Sequence, residues 1–144
     1  MFLGRYYHSL EDKGRLAIPA SFRQLLGKHP ILTRGLDSCL YLFSSTTWSK
    51  LIADLNTSPL APEDTRTLTR LLAHDAQILE FDAQGRSLLN RELRQFAHLT
   101  KQVVVAGSAT WVEIWDQARY HQYLNNAQTN IDQIAARIRE VSHE

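Results

Sequence analysis

Two stretches of the chain decide its fold: Glu11-Asp12-Lys13-Gly14-Arg15 and, further along, Asp82-Ala83-Gln84-Gly85-Arg86. The acid, the glycine and the arginine of the first stretch return in the second at a spacing of 71 residues. Phe22-Arg23 meets Leu93-Arg94 at that same spacing, which becomes 72 later in each stretch. A unit of about 45 residues is therefore duplicated within the chain.

The two units are too small to fold independently. A unit of about 45 residues buries too little apolar surface to be stable alone, so we expect the repeats to share one core. The chain has 144 residues, of which 44% are hydrophobic and 22% are charged, the composition of a soluble globular protein. It contains no apolar run long enough to cross a bilayer and no secretory signal at its start, so we expect a cytoplasmic protein without a membrane partner.

The distribution of charge is more informative than its total. The net charge is only +1. Residues 1–47 carry six Lys or Arg against three Asp or Glu, whereas residues 76–119 carry five of each. An electrostatic footprint for nucleic acid is therefore expected to concentrate on the first repeat.

The cysteine and histidine content gives no indication of a metal or cofactor. Cys39 is the only cysteine, which excludes a disulfide within the chain and a cysteine zinc site, and it lies among apolar residues as a small buried hydrophobe would. The six histidines lack the close spacing that gathers ligands around one metal. We predict no metal and no cofactor.

Each repeat is predicted to begin with a β-hairpin whose turn contains the motif glycine, because glycine adopts the positive φ of a tight turn and an acid suits its opening position. Residues 6–10 and 16–18 flank Gly14 in the first repeat, and residues 77–81 and 87–89 flank Gly85 in the second. A short helix is predicted after each hairpin, beginning near Pro19 or Arg91. Second strand pairs follow, 31–33 with 40–43 and 103–105 with 112–115.

Helices are predicted between and after the repeats. Thr46 or Thr47 can cap a helix that runs to about Asn56, and a second helix presents Leu68, Leu71 and Leu72 on one face. A terminal helix carries an apolar stripe of Ile131, Ile134, Ala135, Ile138 and Val141. We divide the chain into a first repeat (5–47), a helical connector (48–75), a second repeat (76–119) and a C-terminal helical segment (120–144).

The repeated motif has three competing interpretations. It can serve folding alone, with the glycine making the turn and the acid bonding nearby backbone. It can bring Arg15 and Arg86 to one face of the molecule, where guanidinium groups suit phosphate oxygens or guanine edges, and where Glu11 and Asp82 position them. It can also be catalytic, with the acids Glu11 and Asp82 as a carboxylate pair or with a nucleophile near Ser9, but no sequence context favours an enzyme.

The chain closely resembles the MraZ family of bacterial transcriptional regulators, which have two swapped-hairpin repeats of the AbrB type. The resemblance covers nearly the whole chain and its motifs lie at family spacing. They are Met1-Phe2-Leu3-Gly4, Asp12-Lys13-Gly14-Arg15-Leu16-Ala17-Ile18-Pro19, Arg34-Gly35-Leu36-Asp37, Asp82-Ala83-Gln84-Gly85-Arg86 and Glu113-Ile114-Trp115.

The resemblance implies a mixed, mainly β fold with peripheral α-helices, in which the two AbrB-like repeats form a double-split β-barrel within one chain. It also implies a homo-oligomeric ring and binding of double-stranded DNA at short tandem promoter repeats upstream of the division and cell-wall gene cluster. A repressor or modulator that acts on the nucleoid in the cytoplasm is the expected function. The family's functional signature falls on Glu11 with Arg15 and on Asp82 with Arg86.

From these observations we expect Lys13, Arg15 and Arg86 to contact DNA and Glu11, Gly14, Asp82 and Gly85 to position the loops. Two departures from the family pattern affect the loops: Glu11 stands where aspartate is usual, and Gln84 replaces the basic residue found at Lys13. An alternative function is an interaction or scaffold protein whose loops hold a protein partner. The terminal-helix stripe can serve a ring interface or pack on its own barrel.

Overall fold

The computed structural model describes residues 1–59 and 61–142, in which the same order of elements occurs twice. The first series is β1 (Arg5–Ser9), β2 (Arg15–Ala17), α1 (Ala20–Leu26), β3 (Ile31–Arg34), β4 (Leu40–Phe43), α2 (Ser45–Asn56) and α3 (Pro62–His74). The second series is β5 (Gln77–Ile78), β6 (Arg86–Leu88), α4 (Arg91–Phe96), β7 (Gln102–Gly107), β8 (Val112–Asp116), α5 (Gln117–Gln128) and α6 (Ile131–Ser142). The fold is mixed, and the expectation of a mainly β protein is wrong by residue count, because two helices follow the strands of each series.

The strands form a six-stranded sheet in the order β1-β7-β8-β4-β3-β5 and a separate two-stranded ladder, β2-β6. Every pairing is antiparallel. The first strand of each series pairs with the third strand of the other, β1 with β7 and β5 with β3. The two series are therefore interleaved about an approximate twofold axis and do not lie side by side.

This interleaving corrects the predicted hairpins, because β1 pairs with β7 and β2 pairs with β6. The arms of one isolated hairpin would leave their apolar residues in water, which makes such a pair marginal on its own. Exchange between the series buries Leu16 and Leu89 completely. The second strand pairs, β3 with β4 and β7 with β8, are formed as predicted.

The sheet does not close into a barrel in the described part of the chain. Its edge strands, β1 and β5, do not pair with each other, and the β2-β6 ladder is separate from the six strands. The double-split barrel therefore stays a prediction.

One core is shared by both series, as the small size of each unit predicts. Its buried members include Leu16 and Phe22 from the first series and Leu89 and Leu93 from the second. A smaller cluster on another part of the sheet contains Cys39 with Trp115 and Tyr120, so the prediction of a small buried hydrophobe at Cys39 is confirmed. Burial raises the pKa of the Cys39 thiol far above its usual range.

The helices that follow each strand series are anchored differently. Helix α2 begins one residue after Ser44, whose Oγ accepts a hydrogen bond from the Thr47 N–H at 3.2 Å, so the predicted caps Thr46 and Thr47 are wrong. Helix α3 is tied to β3, because Thr33 Oγ1 donates to the Leu72 carbonyl at 2.6 Å and Arg34 Nε lies 2.6 Å from Asp75 Oδ2. Across the described ranges, the helices are too short or too polar to span a bilayer.

Candidate functional site

Two turns of matching geometry carry the repeated motif. In the first, which we call the Gly14 turn (residues 11–15), the Glu11 N–H donates to the Arg15 carbonyl at 2.9 Å and the Gly14 N–H donates to the Glu11 carbonyl at 2.8 Å. In the second, the Gly85 turn (residues 82–86), the equivalent distances are 2.9 and 3.0 Å. Gly14 and Gly85 have φ values of +89° and +76°, a region that other residues rarely adopt.

The two turns lie next to each other because β2 pairs with β6. Arg15 pairs with Leu88 in that ladder, and Arg86 pairs with Ala17. The turns are also bonded directly across the axis, since the Ile18 N–H donates to the Gly85 carbonyl at 3.1 Å and the Leu89 N–H to the Gly14 carbonyl at 3.0 Å. The sequence prediction that the two arginines reach neighbouring positions is confirmed by this pairing.

Arg86 is held by two carboxylates. Its Nε donates to Asp82 Oδ2 at 2.9 Å, and its Nη1 donates to Glu11 Oε1 at 2.9 Å and to Glu11 Oε2 at 3.1 Å. These hydrogen bonds, first that of Glu11 and then that of Asp82, raise the pKa of the Arg86 guanidinium. The Arg86 head group is therefore fixed in orientation before any ligand arrives.

Asp82 also organises the backbone of the Gly85 turn. Its Oδ1 accepts hydrogen bonds from the N–H groups of Gln84 and Arg86, both at 2.9 Å. The backbone N–H of Arg86, followed by that of Gln84, stabilises the ionised form and lowers the pKa of Asp82. Asp82 occupies the loop-positioning place that the motif predicts for it.

The Glu11 side chain does not repeat this arrangement. We expected it to orient Arg15, but its carboxylate crosses the axis and binds Arg86. Glutamate has one more methylene than aspartate, which lets its carboxylate extend beyond its own turn to the neighbouring one. The substitution of the usual aspartate by Glu11 therefore couples the two turns.

Arg15 and Lys13 remain available for a ligand. Within residues 1–59 and 61–142, neither side chain forms a hydrogen bond or an ion pair. Lys13 is exposed and Arg15 is half-buried. Arg15, Asp82 and Arg86 line one open cavity of about 390 Å³, so the free and the held guanidinium groups face the same space.

A second pair of arginines, Arg23 and Arg94, supports the turns and was missed as functional. Arg23 Nε donates to the Ile18 carbonyl at 3.0 Å, and Arg94 Nε donates to the Leu89 carbonyl at 3.0 Å. Each also packs under the opposite turn: a Cβ on Gly85 would lie 2.6 Å from Arg23 Cζ, and one on Gly14 would lie 2.7 Å from Arg94 Cζ. The repeat spacing of 71 residues was the signal that could have identified them.

Two matching hollows flank the turns. One, of about 630 Å³, is lined by Arg23 with Lys28 and His29, and the other, of about 650 Å³, by Arg91 and Arg94 with His98. Each hollow is open and contains basic side chains. Together with Lys13 and Arg15 they form a surface suited to an anionic ligand.

The acids of the motif are arranged to hold arginines. Glu11 and Asp82 both bind Arg86, and the low pKa of Asp82 keeps it ionised, which is unlike a general acid. In the described part of the chain Ser9 and His8 form no hydrogen bond with each other, and burial lowers the pKa of His8. No three His, Cys, Asp or Glu side chains gather within the described ranges.

Known proteins resemble this chain over its whole length. The family described as "MraZ protein, putative antitoxin-like" matches it twice, at residues 1–71 and 72–141. A protein of Halothermothrix orenii named "Transcriptional regulator MraZ" is 40% identical over 141 residues, which cover 98% of this chain and 99% of the relative. Proteins of the same name from Alkaliphilus metalliredigens and a Thermoanaerobacter species are 41% and 39% identical, again over 98% and 99% of this chain and 99% of each relative.

Two interleaved repeats and these matches define the class as a transcriptional regulator, which is not an enzyme class. The chain belongs to the MraZ family. The resemblance identified from its motifs and the prediction that it is not an enzyme are both confirmed by these comparisons.

Proposed function

We propose that this chain is a sequence-specific DNA-binding regulator that represses or modulates transcription. Its paired turns bind short tandem repeats in the promoter of the bacterial division and cell-wall gene cluster. It acts in the cytoplasm, associated with the nucleoid, as a ring of several copies. The two repeats, taken as residues 5–47 and 76–119 with a connector at 48–75 and a helical segment at 120–144, form a double-split barrel that presents the turns.

The observation that carries the proposal is the pair of arginines at the mouth of one cavity, one held and one free. Arginine recognises guanine through O6 and N7 and phosphate through paired oxygens, because its donors form a planar fork. Arg86 is pre-oriented by two carboxylates, so little conformational entropy is lost when it binds. Arg15 is free to adjust to a base edge.

The remaining predicted residues fit supporting roles. Lys13 is exposed at the tip of the Gly14 turn, where an ammonium group can contact a phosphate. Gly14 and Gly85 permit the tight turns, and Glu11 and Asp82 position Arg86. The lack of a cation at Gln84 makes the Gly85 turn the weaker contributor to phosphate binding.

Assembly is part of the proposed recognition. One copy offers few cations to DNA, so it should bind weakly at cellular salt. Several copies in one ring that meet tandem sites can gain about 10²-fold or more in affinity through effective concentration. The ring and the tandem promoter elements therefore belong together in this mechanism.

The family description, which contains the words "antitoxin-like", favours one second candidate. In it the turns hold a protein partner. Such a groove would depend more on apolar residues, whereas DNA binding weakens steeply with salt. Salt dependence therefore distinguishes the two candidates.

Fluorescence anisotropy tests the proposal, with the purified protein on DNA from upstream of its own gene and on scrambled DNA at two salt concentrations. We expect a preference for the native DNA that Arg15→Ala removes. Arg66→Ala is the matched control, because Arg66 is an exposed arginine on α3, outside the turns. Salt-sensitive binding without preference would leave a nonspecific DNA binder, and no binding would favour the protein partner.

A further inference from the structure

An apolar groove lies between the sheet and helices α2 and α3. It encloses about 550 Å³ and is lined by aromatic and leucine side chains, among them Tyr41, Phe43, Trp111, Leu68 and Leu71. The ring centroids of Tyr41 and Phe43 lie 5.3 and 6.2 Å from that of Trp111, so the floor is a continuous aromatic surface. Leu71 remains 45% exposed at the edge.

Helix α6 carries the opposite feature, an apolar stripe that faces water. Ile131, Ile134, Ile138 and Val141 are 60%, 39%, 64% and 72% exposed, and none of the described residues of α6 is buried. Helices shorter than about 12–15 residues are marginal in water without tertiary packing. A 12-residue helix with this stripe therefore requires a surface to cover it.

The two repeats explain why α6 finds no such surface where α3 does. Both helices follow the second strand pair and one further helix of their series. Helix α3 is tied down by the Thr33 hydroxyl and by the ion pair of Arg34 with Asp75. At the spacing of 72 residues, Val105 and Ala106 replace Thr33 and Arg34, and they carry no polar group to hold a helix.

Charges beside the groove and the stripe are complementary. Lys50 and Asp54 lie one turn apart on α2 and line the groove, while Arg137 and Glu140 lie about one turn apart on α6 beside the stripe. If α6 runs antiparallel to α2, Lys50 meets Glu140 and Asp54 meets Arg137. Within residues 1–59 and 61–142 none of the four forms an ion pair, so all are available for this contact.

We propose that the α6 stripe of one copy docks in the groove of a second copy, antiparallel to α2. The contact is a helix-in-groove interaction with anchors at Ile131, Ile134, Ile138 and Val141. Because the stripe and the groove are different surfaces, the contact is heterologous and repeats from copy to copy until the assembly closes. This inference rests on the proposed function only in its requirement that copies associate, and it involves neither turn.

Analytical ultracentrifugation of the full-length chain tests the docking through complementary variants. Ile138→Lys disrupts the stripe and keeps the groove, and Leu71→Lys disrupts the groove and keeps the stripe. Each variant alone should sediment as a single chain, and their equimolar mixture should form a heterodimer that cannot extend. Leu3→Lys, at a residue that is 65% exposed and on neither surface, should assemble like the wild type.

Each other outcome contradicts the docking. A wild type that sediments as a single chain would place the stripe elsewhere. If Leu71→Lys alone still assembled, the stripe would bind something other than the groove, and a mixture that stayed monomeric would exclude a stripe-to-groove contact. Circular dichroism confirms that each variant is folded, and Lys50→Glu should restore the assembly that Glu140→Lys weakens. DNA anisotropy of the monomeric variants reports separately on the turns, so the docking can fail while the proposed function stands.

Discussion

The Gly14 turn and the Gly85 turn have the same backbone and different side-chain chemistry. Their paired hydrogen bonds agree within about 0.2 Å, and each is supported by an arginine of the opposite repeat. The Gly14 turn offers a free arginine and a free lysine, whereas the Gly85 turn holds its arginine between two carboxylates. Duplication has thus kept the scaffold and separated the roles: one turn is free to adapt to a ligand and the other is already ordered.

The largest expected effect comes from the two arginines. Arg15→Ala should cost about 1–3 kcal/mol of promoter binding per engaged copy and change the free energy of unfolding by less than about 0.5 kcal/mol. Arg86→Ala should also weaken binding, and it should lower the Tm, because it leaves Glu11 and Asp82 without their shared cation. Anisotropy and thermal denaturation of both variants measure these effects. An equal loss of Tm in both variants would contradict the difference between the turns.

The glycines should behave alike, because the backbone of the turns is alike. Gly14→Ala and Gly85→Ala should each cost about 1–2 kcal/mol for a positive φ. A further cost of about 1 kcal/mol is expected because the new methyl group displaces Arg94 or Arg23 from its carbonyl partner. Urea denaturation measures both costs.

Gly27→Ala is the matched control for these substitutions. Gly27 has a φ of +79°, but a Cβ there would meet no atom within 4 Å. It should therefore show the cost of φ alone. If Gly14→Ala were no more destabilising than Gly27→Ala, the packing of Arg94 beneath the Gly14 turn would have no energetic role.

Exchange of the tip residues should make the turns more similar. Gln84→Lys adds a cation to the Gly85 turn, and Lys13→Gln removes one from the Gly14 turn. The slope of log K against log salt should change by about 0.9 for each phosphate that a copy newly binds or ceases to bind. Binding titrations at several salt concentrations measure this slope, and a slope unaffected by Lys13→Gln would contradict the binding of a phosphate by Lys13.

The smallest expected effect concerns pH. The pKa of Asp82 is lower in the folded protein than its unfolded value of about 3.9, so its stabilisation is present above that pH and is lost as the pH falls through the folded pKa. The wild type should therefore lose more free energy of unfolding than Asp82→Asn as the pH falls below about 5. Denaturation at several pH values measures this loss. Asp12→Asn, a change at an exposed acid of the Gly14 turn, should follow the wild type.

Local patterns predicted the elements of the fold and not the partners of its strands. Alternation and turn residues identify β1 and β2 as strands around Gly14, but they contain no signal that β1 pairs with β7, nearly 100 residues away. That choice follows from the shared core, which needs Leu16 and Leu89 between the repeats. Ser44 was missed as the cap of α2 because Ser44, Thr46 and Thr47 are all capping residues within one turn.

The candidate site divides in the same way. The repeat itself located Arg15, Arg86 and their acids, and the contact of Asp82 with its own arginine is local, four residues along the chain. The contact between Glu11 and Arg86 spans 75 residues and depends on the pairing of β2 with β6. Arg23 and Arg94 were visible in the repeat spacing, but their support of the opposite turns follows only from the interleaving.

The most direct test compares two substitutions that keep the charge, Arg15→Lys and Arg86→Lys, in their preference for promoter DNA over scrambled DNA. Lysine retains the phosphate attraction and loses the planar fork that reads a base. The division of roles predicts that Arg15→Lys loses most of the preference with its salt dependence and Tm unchanged, whereas Arg86→Lys lowers the Tm as well. Full promoter preference in Arg15→Lys would contradict the claim that the free arginine of the Gly14 turn reads the DNA sequence.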